Sequence, residues 1–413
     1  MVKSGTDAGS ASALDTAWKA YREGIESLRE TLHAMPIART PADHAAADRW
    51  LLQSQAAAHN LVFAPDPRRP RFLVHSVFEP NVYNWLLPNP DFLYRYAFLE
   101  GRGTYRIEGV RRNAHFVDAQ MISGFWGDPK MRMLESYNFD ALGIAAGAQV
   151  GIHLGPEPPK QPGPWIRTDP DAERNTLIVR EAFYDWSQDQ RSSLRIESTA
   201  LDRLRAQPAI ESQAPGETEL AHRLDAALRM IRFCHNTFSG QLTANVVEAV
   251  GYNRFLLLDT SRDEAAANPV AGYVPVVFEL GPKESLVLEF EIPRASYWGL
   301  QVGDLWWQAA DYVDHQSSLN GHQVKADPDG RARIVVGADD PGVANWLDTT
   351  GLSRGVVLLR WYHADRHPIP EAKRMRVAEL PGALPPGTSR VAPDERRRRL
   401  AARRDAVLRR YDD

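Results

Sequence analysis

The chain has 413 residues, of which 43% are apolar and 25% charged, and its formal net charge is −4. This composition is ordinary for a globular protein of two or three domains. The slightly acidic balance gives no general attraction to nucleic acid, and no run of about 18 apolar residues predicts a membrane span. A single cysteine excludes an internal disulfide, and the N-terminus lacks the apolar core of a secretory signal. We therefore expect a cytoplasmic protein.

Two helices are predicted at the N-terminus. Apolar residues recur at spacings of three and four from Leu14 to Met35, and Pro36 follows, which is typical of one amphipathic helix. Thr40 and Pro41 supply a cap and a first-turn proline for a second helix. We expect the first helix to pack on the core or on its copy in a homo-oligomer, which the terminal helices would hold together.

Short β-rich segments bounded by Gly, Pro, Asn and Asp fill residues 71–186, and a second such block runs from Val274 to Tyr362. Many short strands of this kind favour sandwiches, jelly rolls or barrels. The predicted fold is mainly β with flanking helices (α+β). It comprises an N-terminal helical segment (1–65), a first β block (66–195), a helical insert (196–255), a second sandwich or jelly-roll-like block (256–370) and a C-terminal helical tail (371–413).

Three finer predictions concern connections and the tail. Gly281–Glu284 is predicted to be a turn that joins two successive strands, and Asp327–Gly330 has the composition of a hairpin turn. The tail, from Pro393 to Asp413, is predicted to be a basic amphipathic helix. Because the rest of the chain is acidic, we expect its arginines to lie on a solvated or subunit-contacting face rather than on nucleic acid.

Motifs for nucleotides and metals are absent from the sequence, which contains no P-loop, no dinucleotide fingerprint, no Gly-x-Ser-x-Gly elbow and no His-Glu-x-x-His. His363, Asp365 and His367 form a close cluster, but they precede a Pro-Ile-Pro loop and are interpreted as a turn. We therefore predict no metal and no cofactor. Cys234 lies on an apolar helix stripe, which favours a buried, inert thiol over a nucleophile.

Aromatic and short polar side chains are densest between Tyr297 and Trp361. If a strand extends from Tyr297 to Gln308, Asp304 and Trp306 share one face. A carboxylate beside indole rings is partly desolvated, which raises its pKa toward acid–base use. The alternative is an aspartate that caps a turn, with tryptophans that fill a core.

We predict catalytic roles for Asp304, Asp311 and His315 in an aromatic-lined pocket for a small molecule. For His315 and the serines beside it, stabilisation of the loop is the alternative. Arg180 is predicted to form a structural pair with Asp185 or to border the pocket. The residues predicted to bind the substrate are Tyr94, Trp306, Trp307, Tyr312, Asn320 and Trp361.

The tract SLNGHQVKADPDGRARIVVGADDPGVANWLDTTGLSRGVVLLRW, residues 318–361, resembles a bacterial family known as domain of unknown function 1214. The shared order is Ser-Leu-Asn, an Asp-x-Asp-Gly turn, Asp-Pro-Gly, Asn-Trp-Leu-Asp and a closing Arg-Trp. The tract PDFLYRYAFLEGRGTYRIEG is similar to the region that precedes this domain in such proteins. The resemblance implies a jelly-roll-like β-sandwich and carries no settled catalytic residues.

Three functions remain open from the sequence. The first is a cofactor-independent enzyme, a hydrolase, lyase, isomerase or cyclase, that acts on a small, largely apolar substrate by Asp-based acid–base chemistry. The second is a carbohydrate-active or carbohydrate-binding sandwich, in which tryptophans stack on sugars and two carboxylates lie roughly 5 to 10 Å apart. The third is a non-enzymatic oligomeric scaffold, in which the aromatic residues form a core.

Overall fold

The computed structural model describes residues 12–74, 84–200, 215–259, 268 and 270–411. Helix α1 (Ala13–Ala34) and helix α2 (Pro41–Ala58) begin where the sequence places them. Each starts in a capping box, Ser12 with Asp15 and Thr40 with Asp43, which satisfies backbone N–H groups of the first turn. A π-helical turn, His59–Phe63, continues α2.

Nine strands, in two sheets, form the first sandwich. Sheet A has the order β1-β2-β8-β4-β5, and sheet B has the order β7-β6-β3-β9. The strands are β1 (Leu73–Val74), β2 (Phe92–Leu99), β3 (Tyr105–Val110), β4 (Phe116–Ser123), β5 (Arg132–Asn138), β6 (Gln149–Gly155), β7 (Trp165–Arg167), β8 (Asn175–Ala182) and β9 (Ser193–Ser198).

Eight further strands form the second sandwich. Sheet C has the order β10-β16-β12-β13, and sheet D has the order β15-β14-β11-β17. The strands are β10 (Ala271–Glu279), β11 (Glu284–Glu291), β12 (Tyr297–Gly303), β13 (Ser318–Asn320), β14 (Arg331–Gly337), β15 (Trp346–Asp348), β16 (Arg354–Tyr362) and β17 (Glu371–Arg376). The last strand lies in the segment that the sequence assigned to the tail.

The two sandwiches are topologically equivalent, because β2–β9 and β10–β17 occupy the same places in their sheets. Even the parallel pairs correspond, since β6 pairs with β7 and β14 pairs with β15. The equivalence extends to side chains: the Trp165 indole donates to the Gly155 carbonyl at 3.0 Å, and the Trp346 indole donates to the Gly337 carbonyl at 2.8 Å. The chain is thus two copies of one sandwich topology.

Four further helices complete the described chain: α3 (Glu217–Phe238), α4 (Gly240–Val250), α5 (Leu380–Ala383) and α6 (Pro393–Leu408). Together these elements confirm the α+β prediction of two sandwich blocks with helices before, between and after them. Cys234 is buried in α3, as expected, and burial raises the pKa of its thiol well above the ordinary range. No helix in the ranges described is long and apolar enough to cross a membrane.

The Gly281–Glu284 turn joins the successive strands β10 and β11, as predicted, and carries the chain from sheet C to sheet D. Two other local predictions were wrong. The Asp327–Gly330 turn precedes β14, whose neighbours are β11 and β15. Strand β12 ends at Gly303 rather than at Gln308, so Asp304 begins a turn. In each case local turn chemistry was visible in the sequence, whereas strand partners are set by long-range packing.

Each sandwich has its own apolar core, and a third layer of side chains lies where sheet A faces sheet C. Aromatic rings from both sheets meet there: Phe92 lies 5.1 Å from Tyr297 and 5.2 Å from Tyr362, centroid to centroid. The helices pack against an adjoining cluster that includes residues of both sheets. Because a strand alternates its faces, the side chains between A and C are those that point away from the two sandwich cores.

Helix α6 buries Arg396 and Arg403, and the turn that follows it buries Arg410, so three buried arginines are spaced seven residues apart. Seven residues are close to two helical turns, so Arg396 and Arg403 lie along one face of the helix. Arg403 packs over the indole of Trp186 at 4.3 Å, and Arg410 packs over Phe183 at 4.7 Å. One face of the tail therefore docks on the chain's own sandwiches, which was not predicted. The opposite face is solvated as predicted and carries the exposed residues Arg397, Arg398, Arg399, Arg404 and Arg409.

Candidate functional site

Two equivalent rows of side chains face each other between sheets A and C. In sheet A, Arg180 of β8 is the in-register neighbour of Tyr94 on β2 and of Asp118 on β4. In sheet C, Arg360 of β16 is the in-register neighbour of Tyr273 on β10. In-register residues on one face have Cβ atoms about 4.5–5.5 Å apart, so each row is a compact group. The sandwich duplication thus brings a Tyr–Arg pair to each side of the interface.

Arg180 is only partly buried although it lies between two sheets. One of its Nη atoms donates to Oε1 of Gln120, and the guanidinium carbon lies 5.9 Å from the centroid of the Tyr94 ring. No carboxylate of the described chain forms an ion pair with it, and none of its nitrogens is a sealed, unpartnered donor. Its remaining N–H groups form no hydrogen bond to any described residue.

Arg360 approaches the same region from the opposite sandwich. It donates to the Gln301 side chain and, at 2.8 Å, to the Leu87 carbonyl. Neither partner carries charge, and no ion pair to Arg360 occurs in the ranges that the structure describes. Positive charge from both Arg360 and Arg180 opposes the rise in the pKa of Tyr94 that burial causes. Both guanidinium groups thus act on the same tyrosine.

Tyrosine hydroxyls supply further polar atoms in this region. The hydroxyl groups of Tyr273, which is half-buried, and of Tyr362, which is buried, form no hydrogen bond to any described residue. Burial raises the pKa of Tyr362 well above its ordinary value, so its hydroxyl stays protonated. These groups are therefore available as hydrogen-bond donors toward a molecule between the sheets.

Asp118 is the carboxylate of this region. Its Oδ1 accepts from Nδ2 of Asn138 at 2.8 Å, and its Oδ2 lies 3.9 Å from Nε2 of His363 without a hydrogen bond to any described group. Burial raises the pKa of Asp118, and the Asn138 hydrogen bond and the charges of His363 and Arg180 oppose that rise. A carboxyl with a raised pKa and one open oxygen is suited to proton transfer. We define the inter-sheet site as Tyr94, Asp118, Arg180, Tyr273, Arg360 and Tyr362.

A second polar cluster adjoins this site and is fully used by the fold. Asp91 is buried and accepts hydrogen bonds from the Tyr297 hydroxyl at 2.6 Å, the Trp186 indole at 2.6 Å and Nδ2 of Asn320 at 2.8 Å. Asn320, predicted to bind substrate, also donates to the Tyr184 carbonyl at 3.1 Å. The cluster joins both sandwiches, and its atoms are already partnered.

The Trp306–Trp307 pair anchors the helices to the second sandwich. The Trp306 indole donates to the Asp43 carbonyl at 3.0 Å, and the Trp307 indole donates to the Thr243 hydroxyl at 2.9 Å. Both rings are buried. Helix α4 approaches so closely that a Cβ on Gly240 would lie 2.4 Å from the Trp306 ring. These contacts give both tryptophans a packing role between the sandwich and helices α2 and α4.

Asp304 holds this turn through both of its oxygens. Its Oδ1 accepts from the backbone N–H groups of Trp306 and Gln308, at 2.9 and 3.0 Å. Its Oδ2 accepts from Nε2 of Gln308 at 2.7 Å and from Arg49 at 3.2 Å. Burial raises the pKa of Asp304, opposed first by hydrogen bonding from Gln308. This geometry matches the alternative that the sequence left open, in which the aspartate caps a turn.

The Asp304→Asn substitution is expected to destabilise the protein by about 1–3 kcal/mol, because an amide nitrogen would face the donors that Oδ2 now accepts. The measurement is chemical unfolding of both proteins. Asp314→Asn, an exposed change on the same connection, is the control and should leave the unfolding midpoint unchanged. Equal midpoints for Asp304→Asn and wild type would contradict the turn-holding role.

The other predicted site residues are spread over separate surroundings. Asp311 accepts from the backbone N–H groups of the next turn, and His315 lies at the surface with Nδ1 2.8 Å from Oδ2 of Asp348. Tyr312 is buried beside helix α6, and Trp361 fills the core of the second sandwich. No hydrogen bond or ion pair joins any two of Asp304, Asp311 and His315. Their predicted catalytic roles therefore receive no support from shared geometry.

Sequence reasoning identified Tyr94 and offered Arg180 as a pocket edge, but it missed Asp118, Tyr273, Arg360 and Tyr362. The expected Arg180–Asp185 pair does not form, since Asp185 accepts from Ser187 instead. A usable signal was present: Arg180 and Arg360 each follow a run of three or more buried apolar residues within a strand, where charge is rare. Within the described residues, no group of three His, Cys, Asp or Glu side chains is placed to bind a metal.

Comparisons with known proteins agree with this architecture. An uncharacterized protein from Burkholderia cenocepacia, of known crystal structure, is similar with 25% identity and a TM-score of 0.76, over 88% of this chain and 98% of that one. The VPA0106 protein from Vibrio parahaemolyticus is similar with 14% identity and a TM-score of 0.47, over 88% and 100%. No curated protein matches the sequence. Residues 279–366, within the second sandwich, match the family described as protein of unknown function (DUF1214), in the region where the sequence resembled it.

Proposed function

We propose that this protein is an enzyme that binds a small, largely apolar molecule at the inter-sheet site and acts on it by proton transfer through Asp118. The observation that carries the proposal is the open Oδ2 of a buried carboxyl whose pKa is raised, in the same row as Arg180 and Tyr94. His363 lies within ion-pair distance of that oxygen, at 3.9 Å, but forms no hydrogen bond with it, and carboxyls with shifted pKa values cluster at functional sites.

The surroundings of Asp118 fit acid–base chemistry. Protonated Asp118 would act as an acid and ionised Asp118 as a base, while guanidinium and tyrosine hydroxyl donors stabilise negative charge that develops on the substrate. The reaction class expected from the sequence is retained, a hydrolase, lyase, isomerase or cyclase, with Asp118 in the role first given to Asp304. Asp304 is the weaker candidate because both of its oxygens hold the turn.

Apolar side chains flank the polar rows and would hold the body of the substrate. Phe92 and Phe116 border the row on one side in sheet A, and Ile178 lies on the other. Leu358 occupies the corresponding position in sheet C. A few polar groups set in an apolar lining are typical of small-molecule sites. This arrangement supports a substrate that is mainly apolar with a small number of polar atoms.

Turnover would be sought by mass spectrometry with a panel of small esters, lactones, epoxides and hydroxy acids, and then compared between wild type and Asp118→Asn. The substitution keeps the shape of the side chain and is expected to lower kcat about 100-fold, since it removes proton transfer. If Asp118 is the base, wild-type kcat/KM rises as pH passes upward through its raised pKa, and the variant lacks that rise.

The matched control is Asp365→Asn, an exposed aspartate two residues from His363, which should keep wild-type turnover. Far-UV circular dichroism and the unfolding midpoint establish that both variants fold. A folded Asp118→Asn variant with undiminished kcat would reject the proposal.

A further inference from the structure

We infer that the molecule bound at the inter-sheet site carries a carboxylate, held between the guanidinium groups of Arg180 and Arg360. The inference deepens the proposed function, because it names the substrate class of that same site. It does not require Asp118 to be catalytic. Its basis is the placement of two arginines on opposing sheets without anionic partners.

The charges of the site do not balance within the described protein. Arg180 and Arg360 contact only neutral groups, Gln120 in one case and Gln301 with a backbone carbonyl in the other. Asp118 is a strand neighbour of Arg180 but forms no ion pair with it. A cation removed from bulk water without a counter-ion is costly, so an anionic ligand would recover that cost.

Three other buried arginines of the described chain have carboxylate partners, whereas Arg403 and Arg410 are held by backbone carbonyls and aromatic rings. Arg95 pairs with Glu181, Arg111 with Asp140 at 2.7 Å and Arg396 with Asp340 at 3.0 Å. These pairs fasten strands and the C-terminal helix within the fold. A structural arginine of this chain thus has a carboxylate partner or backbone carbonyl acceptors, and Arg180, whose described acceptor is the Gln120 side chain, departs from both patterns.

The geometry suits a carboxylate better than a spherical anion. Equivalent strand positions bring one guanidinium from each sandwich, and each is a planar fork that can donate two parallel N–H groups to carboxylate oxygens. The hydroxyls of Tyr273 and Tyr362 are free to donate to the same oxygens. An organic carboxylate would use these donors while its apolar part contacts the flanking rings.

The test compares carboxylates with neutral amides of the same shape, benzoate with benzamide and cyclohexanecarboxylate with cyclohexanecarboxamide, by isothermal titration at fixed ionic strength. Each carboxylate is expected to bind at least about tenfold more tightly than its amide, because charge-assisted hydrogen bonds are the stronger ones. Arg180→Gln and Arg360→Gln should each weaken carboxylate binding by about tenfold or more and leave amide binding within about twofold.

Two further variants test whether a loss of binding comes from these two arginines and not from a loss of folding. Arg174→Gln, at the start of the same strand, removes a guanidinium that already pairs with Asp128 and should leave benzoate binding unchanged. Arg180→Lys keeps the charge without the fork and should retain part of the affinity for benzoate, which loss of folding would not. Unfolding midpoints without ligand establish that the variants are folded.

Equal affinity for benzoate and benzamide, or benzoate binding that survives both glutamine substitutions, would overturn the inference. Sulfate or inorganic phosphate that binds as tightly as benzoate would also overturn it, because the site would then select charge rather than an organic carboxylate. Carboxylate binding that depends on both arginines, together with full turnover by Asp118→Asn, would sustain the inference while the proposed proton transfer fails.

Discussion

Replacing Asp91 by alanine is expected to lower the free energy of unfolding by about 3–5 kcal/mol, which is the usual cost of breaking a buried charged network. Asp91 is 2% exposed, and its two oxygens accept from Tyr297, Trp186 and Asn320. Alanine would leave the buried Trp186 indole without an acceptor and would remove one of the two acceptors of Asn320 Nδ2 and of the Tyr297 hydroxyl, which keep the Tyr184 carbonyl and Asn89. The charge of Asp91 also lies near Arg403 and Arg410, which would lose their compensation.

The position of Asp91 makes the effect more than local. Asp91 and Trp186 belong to the first sandwich, whereas Tyr297 and Asn320 belong to the second. The hydrogen bonds therefore join the two copies at the face where the inter-sheet site lies. We expect Asp91→Ala to weaken the docking of the sandwiches and to broaden the unfolding transition, because the two halves then unfold less cooperatively.

Urea unfolding followed by tryptophan fluorescence and by circular dichroism measures both effects. Asp171→Ala is the matched control, since Asp171 is an exposed aspartate of the first sandwich and should unfold like wild type. An Asp91→Ala protein whose midpoint and slope equal those of Asp171→Ala would show that the cluster does not stabilise the docked sandwiches.

Much of the fold could be predicted from local signals in the sequence. Helix starts at Ser12 and Thr40 were recognisable because their caps act within four residues. The β blocks were recognisable from composition and turns. Their duplication was not, because equivalent positions hold different residues: Asp118 in the first sandwich corresponds to Gly299 in the second, next to Arg180 and Arg360 respectively.

The candidate site could be predicted only in part, for a related reason. Alternation along β2 and β8 places Tyr94 and Arg180 on one face, but nothing local tells which sheet that face meets. The sequence around Trp306 and Trp307 is compatible with two different roles. Aromatic residues beside short polar ones are common to pockets and to docking turns, and helices α2 and α4, distant in sequence, decide that this tract is a docking turn.

Removing the Arg403 side chain is expected to cost about 2–4 kcal/mol, although arginine is usually a surface residue. Its guanidinium is buried, donates to the Tyr312 carbonyl at 2.7 Å and to the Ser318 carbonyl at 3.1 Å, and stacks on Trp186. Alanine would leave both carbonyls without these donors and open a gap under the helix. The variant to measure is Arg403→Ala, by urea unfolding.

Arg404 provides the control one residue further along helix α6. It is exposed and pairs with Asp314 at the surface, so Arg404→Ala should not measurably change stability. Arg403→Met separates packing from charge: methionine restores apolar contact with Trp186 but not the hydrogen bonds, so its loss of stability should lie between those of the two alanine variants. If Arg403→Ala and Arg404→Ala unfold alike, helix α6 rests on the sandwiches without being fastened to them. The difference between the two neighbours thus tests whether the basic tail is a structural part of the fold that surrounds the inter-sheet site.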